Sequence, residues 1–117
     1  MELGGIHHVT AVTADAPGNL EFYTRALGLR LVKKTVNQDD VSAYHLFYAD
    51  AVGSPGTEMT FFDWRWAPPH EPGAGQVSAT AFAVPDEESL EWWGRRLEEL
   101  GVPRGEIREE GRRAVLD

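Results

Sequence analysis

Four histidines, His7, His8, His45 and His70, are the side chains best suited to chemistry, and with no cysteine in the chain any metal would be held by nitrogen and oxygen. His7 and His8 are adjacent in a stretch of strand-like composition, where neighbouring side chains point to opposite faces, so alternation allows one of them to serve a given cleft. His7 shares a face with the apolar Val9 and Ala11, whereas His8 shares one with Thr10. His8 is therefore the candidate for the open side, as a metal ligand or as a hydrogen-bonded histidine in a sheet. Seventy residues further on stands Ser78, which is not an ordinary metal ligand. His45, in Tyr44-His45-Leu46-Phe47-Tyr48, lies on the face opposite the two tyrosines and reads more readily as structural than functional. His70 lies among prolines. Glu58 shares a face with Thr60 and Phe62 and is the one glutamate available on a fourth strand.

Those residues need elements to position them. Ile6 to Thr13 is rich in β-branched residues and predicts a strand. Asp15 caps a helix carrying Leu20, Tyr23 and Leu27 at helical spacing, and Gly28 ends it. Leu29 to Val36 alternates as a second strand, with Leu29, Leu31, Lys33 and Thr35 on one face. Asn37 to Asp40 reads as a polar turn, Ala43 to Ala49 as a third strand, and Thr57 to Asp63 as a fourth after the turn Gly53-Ser54-Pro55-Gly56. Residues 64–76, dense in Pro and Gly, form a linker. Val77 to Val84 predicts a strand, Asp86 caps a helix with Leu90, Trp93, Leu97 and Leu100 on one stripe, and two short strands follow within 106–116.

The second half echoes the first. A shift of 70 lays Leu20-Glu21-Phe22-Tyr23 on Leu90-Glu91-Trp92-Trp93, which predicts an α+β fold of two βαβββ modules, 5–63 and 77–117, the second truncated. The modules are expected to form a curved mixed sheet with helices outside, since each helix covers one sheet face and leaves the other to line a cleft. The whole chain, 1–117, then counts as one domain.

Composition narrows the function classes. The formal charge of −8, from 19 acidic and 11 basic side chains, repels phosphates and anionic lipid, so neither nucleic acid nor membrane is an expected partner. No leader or membrane-spanning run is visible, and a cytoplasmic protein is expected. Phosphate loops, a G-x-S-x-G elbow and histidine pairs on a helix face are missing from the sequence.

Taken together, Gly5-Ile6-His7-His8-Val9-Thr10, Asn19-Leu20-Glu21-Phe22-Tyr23, Leu27 to Asn37, Tyr44 to Asp50, Gly53 to Thr57 and Pro72-Gly73-Ala74-Gly75-Gln76 resemble bacterial ring-cleaving dioxygenases of the hydroquinone-dioxygenase type, within the glyoxalase/bleomycin-resistance/dioxygenase (vicinal oxygen chelate) superfamily. The resemblance implies Fe(II), in some members Mn(II), held by two His and one Glu, with a small aromatic and O₂ as substrates. It makes His8 the first metal ligand and sets His7 and Thr10 near the substrate or behind the metal ligands. The other two ligands belong to the family's last module, which has no counterpart here, so the site is expected to be incomplete in this chain and the chain to be the N-terminal part of a longer enzyme. A homodimer, or association with further modules, is expected to cover the open sheet. Two other activities share this fold: a glyoxalase-like isomerase using Glu58, and a metal-free module binding aromatics between Tyr48, Phe61, Phe62, Trp64 and Trp66.

Overall fold

The computed structural model describes residues 2–36 and 41–117, so the turn expected at 37–40 lies outside the described residues. The chain divides into two compact units, Met1–Pro69 and His70–Asp117.

The first unit has the order β-α-β-β-β. Strand β1 (His8–Thr13) leads to helix α1 (Ala16–Glu21), which continues as a wider π-helical turn (Phe22–Ala26). Asp15 caps it by accepting a hydrogen bond from the Gly18 amide at 3.1 Å. The wide turn closes with bonds from the amides of Leu27 and Leu29 to the carbonyls of Phe22 and Tyr23. Gly28, at φ +71°, then reverses the chain in a conformation that a side chain would strain. Strands β2 (Arg30–Val36), β3 (Tyr44–Ala49) and β4 (Glu58–Asp63) complete the unit.

The sheet order is β1-β4-β3-β2. Strand β4 pairs parallel with β1 and antiparallel with β3, so it lies at the centre of a mixed sheet. One face carries the core, with Leu46, Tyr48, Met59 and Phe61 buried against Ala11, Ala16, Tyr23 and Leu29. Tyr23 stacks on Tyr48 with ring centroids 5.1 Å apart, fixing the helical segment to the sheet.

A bulge between Leu31 and Lys33 changes the alternation expected on β2. Leu31 pairs with Tyr48 while Lys33 pairs with Phe47, so two residues that period-two reasoning places together end up opposite each other.

In the second unit, helix α2 (Glu87–Glu99) is capped by Asp86, which accepts from the Ser89 amide at 2.9 Å. A hairpin follows, β5 (Arg108–Glu110) and β6 (Arg113–Val115), turned at Gly111 with φ +65°. Residues 77–84, expected as a strand, form none. In the first unit the corresponding strand, β1, is held in a ladder by β4. Among the described residues of the second unit nothing pairs with 77–84, and Val77 and Phe82 are exposed. Alternating composition without a ladder partner leaves that segment irregular.

Candidate metal centre on the open sheet face

The strands set out a grid on the face away from the helix. β1 contributes His8 and Thr10, β4 contributes Glu58, Thr60 and Phe62, β3 contributes Phe47 and His45, and the bulge brings Lys33 from β2. The ladder aligns His8 with Glu58, Thr10 with Thr60, Phe47 with both Thr60 and Lys33, and His45 with Phe62. Sequence parity puts His8 and Thr10 on this face and groups Glu58 with Thr60 and Phe62, while the register of the strands joins Glu58 and His45 to it. Lys33 escapes it, because a bulge has no period-two signature.

His7, His8 and Glu58 converge at the start of β1. The Nδ1 atoms of the two histidines are 3.1 Å apart, and His7 Nδ1 lies 3.6 Å from Glu58 Oε2. One donor atom from each of the three lies within 4.8 Å of the others. The expectation that adjacent histidines diverge therefore needs correcting. The ladder begins at His8, and His7 precedes it. Its carbonyl is held by the Gly56 amide at 2.7 Å, and the alternation of an extended, paired strand does not govern its side chain. His7 is exposed and Glu58 is largely covered, so the carboxylate forms the fixed part of the cluster and the imidazole of His7 its solvent side.

Two imidazole nitrogens and a carboxylate make a borderline donor set suited to divalent first-row metals. Donors each about 2.0–2.1 Å from a shared ion sit roughly 3 Å apart at right angles and about 3.4 Å apart in a tetrahedron. The 3.1 Å and 3.6 Å separations lie close to those values. The residues fit a metal, and the remaining coordination positions would be open to ligands.

Beside the cluster runs a hydrogen-bonded row. Thr60, fully buried, donates to Thr10 Oγ1 at 2.8 Å, and its own Oγ1 is 2.9 Å from His45 Nε2. The His45 ring lies between Phe47 and Phe62, at centroid distances of 4.1 and 4.2 Å. Burial lowers the proton affinity of His45, and the positive character of His8 and then Lys33 lowers it further. Phe62 stacks in turn on Trp64. Phe61 and Tyr48, expected to line an aromatic cleft, belong instead to the helix-side core. A separate groove lined by Tyr44, Asp63, Trp64 and Trp66 lies at the other end of the strands from His8.

The sequence profile described as "Glyoxalase/Bleomycin resistance protein/Dioxygenase superfamily" matches residues 5–113. The chain belongs to this superfamily. Two relatives extend the likeness. MhqA of Bacillus subtilis (strain 168), named as a ring-cleaving dioxygenase, is 47% identical over 116 residues, covering 99% of this chain and 37% of its own length. The chlorohydroquinone/hydroquinone 1,2-dioxygenase of Sphingobium indicum is 39% identical over 107 residues, covering 90% of this chain and 33% of that enzyme. The crystal structure of a dioxygenase-like protein from Bacillus subtilis superposes with a TM-score of 0.81 at 45% identity, over 90% of this chain and 34% of the other. This chain thus spans about a third of the length of the relatives it matches. Glyoxalase I of Leishmania major, 17% identical with a TM-score of 0.73, shares the superfamily fold over 96% of this chain and 77% of its own.

The superfamily fold explains how the cluster arises. Glu58 follows the positive-φ turn at Gly53 and Gly56, so β4 enters the sheet in parallel beside β1 and its first residue meets His8.

Proposed function

We propose that this chain is part of a ring-cleaving dioxygenase that opens a dihydroxylated aromatic with O₂ at a non-haem metal, Fe(II) or Mn(II), and that His8 is a ligand of that metal. The observation that carries this reading is the position of His8: its imidazole faces away from the helix and the core, with His7 Nδ1 at 3.1 Å and Glu58 in the same cluster. The names borne by relatives at 39–47% identity support it.

A bound ion would supply Lewis acidity and adjacent open positions for a phenolic oxygen and O₂. The chain's own residues do the rest of the work on this face. His8 offers a lone pair, and Glu58, held on the central strand, offers a charged oxygen beside it. Thr10 presents a hydroxyl two residues along the same face. The rings of Phe47 and Phe62 provide apolar surface against which a planar ring can lie.

The superfamily resemblance assigns the remaining ligands to a further module. The reading therefore includes association, either with further modules or with a second copy, in a cytoplasmic enzyme. Ring cleavage by this chain alone is expected to be absent or weak, and oxygen uptake with hydroquinone and Fe(II) measures it; robust turnover would overturn the incomplete-site reading.

The metal assignment has its own test. Purified chain titrated anaerobically with Fe(II), or with Co(II) as a spectroscopic stand-in, is expected to bind one ion, and His8→Ala to abolish binding. Equal metal binding in His8→Ala would remove His8 from the site. Retained aromatic binding with no metal uptake by the wild type would favour a metal-free binding module.

A further inference from the structure

We propose that His45 is a positioning residue which, through Thr60, aims the hydroxyl hydrogen of Thr10 at an oxygen of the ligand on the open face. This deepens the reading above and rests on its claim that the face receives a hydroxylated aromatic.

The three side chains come from three adjacent strands: Thr10 on β1 lies directly opposite Thr60 on β4, and His45 on β3, whose own partner is Phe62, reaches Thr60 diagonally across the same face. Their bonds are short: His45 Nε2 to Thr60 Oγ1 is 2.9 Å, and Thr60 Oγ1 to Thr10 Oγ1 is 2.8 Å. Thr60 is fully buried at the sheet centre, where valine would have the same shape, a high strand preference and no desolvation cost. A threonine there is favoured only if both sides of its hydroxyl are used, as they are.

A hydroxyl has one hydrogen to give. In the proposed row Thr60 gives its hydrogen to Thr10 and its oxygen accepts from His45, which then carries hydrogen on Nε2. Thr10 Oγ1, having accepted, keeps its own hydrogen for a partner outside the row. The polarity runs in one direction, from the imidazole to the exposed end. Packing between Phe47 and Phe62 holds the imidazole plane, so the row starts from a fixed donor.

Thr10 stands two residues from His8 on the same face, about 6.6 Å along the strand, which is within the span of a single hydroxylated benzene ring. A ligand oriented at His8 by one oxygen can therefore meet the Thr10 hydrogen with another. The row would select rings carrying a second acceptor oxygen over rings that lack one.

The test compares two probes of similar shape, hydroquinone and p-xylene, titrated into the full chain and followed by amide chemical shifts. Loss of one hydrogen bond is worth a factor of about three to ten in affinity. Thr60→Val and His45→Phe are each expected to weaken hydroquinone by that factor and leave p-xylene unchanged. His45→Gln, whose amide can still donate to Thr60, should restore most of the preference. The double variant Thr10→Val/Thr60→Val should lose no more than Thr10→Val alone, because both interrupt one row.

Unchanged hydroquinone affinity in Thr60→Val, equal loss for both probes, or no hydroquinone binding by the wild type would overturn the proposal. If Thr60→Val does not fold, the contrast of His45→Phe with His45→Gln decides. Wild-type chain that takes up no metal but shows the Thr60 effect would sink the dioxygenase reading and leave this one standing.

Discussion

A metal ligand is only as good as the neighbours that hold it, and here the neighbours of His8 are a second imidazole and a carboxylate. His7→Gln and Glu58→Gln each remove a donor of the cluster and are each expected to weaken Co(II) binding by more than the roughly 10- to 100-fold that losing a supporting partner of a ligating histidine costs, read from the cobalt visible spectrum. Affinity unchanged in both would reduce the cluster to His8 alone. His45 makes a different prediction at the same scale. Its folded proton affinity is depressed, chiefly by burial, below the ordinary value of 6.5. Protons then bind the unfolded chain more readily, so stability is fully present above that value and falls as pH drops through it. Urea midpoints measured between pH 8 and pH 5 should fall in the wild type and fall less in His45→Gln. Tyr48 is a third case: its phenol is buried, pushed up to about 12 by burial and then by Tyr23, and has no hydrogen-bond partner among the described residues. Tyr48→Phe removes an unsatisfied buried oxygen and is expected to leave the thermal midpoint unchanged or to raise it.

The elements owe their limits to particular residues. Asp15 opens the first helical segment and Gly28 closes the turn after it, so both bear on how Tyr23 meets Tyr48. Asp15→Ala is expected to cost about 1 kcal/mol through the lost cap. Gly28→Ala should cost roughly 1–2 kcal/mol through left-handed strain alone, since a Cβ there would meet no atom within 4 Å. Chemical denaturation measures both, and a neutral Gly28→Ala would show that the closing turn relaxes. Asp86 caps the second helix through Ser89, whose hydroxyl and amide bonds hold its carboxyl below the usual range. Its contribution is present above the ordinary carboxylate value and is lost as pH falls through the lowered one.

Across the molecule, burial is unevenly distributed. Among the described residues the buried hydrophobic side chains are Ala26, Ala43, Leu46, Tyr48, Ala49, Met59 and Phe61, and all belong to the first unit. The second unit exposes Val77, Phe82, Trp92 and Ile107. A unit that covers so little apolar surface gains little from folding alone and gains more from a partner. Sedimentation of the chain is expected to show self-association that grows with concentration, with Trp92 fluorescence shifting to the blue as it does. A strict monomer at high concentration would argue against association through these surfaces. No described helix is long and apolar enough to cross a membrane.

The sequence by itself determined the order β-α-β-β-β of the first unit, the caps at Asp15 and Asp86, the reversal at Gly28, the open face for His8 and Thr10, and the grouping of Glu58 with Thr60 and Phe62. Those features follow from local rules: a side-chain oxygen near free amides, a residue without Cβ, and alternation along a paired strand. Tertiary structure decided where alternation stops. His7 lies before the ladder and joins His8, and the bulge at Leu31 to Lys33 moves a lysine onto the open face. Pairing also decided that residues 77–84, alternating like β1, form no strand, because a strand exists only where another chain segment accepts its hydrogen bonds. The His45–Thr60–Thr10 row has the same origin. Its members are 15 and 50 residues apart, and the register of three strands sets Thr10 opposite Thr60 and brings His45 within diagonal reach of it.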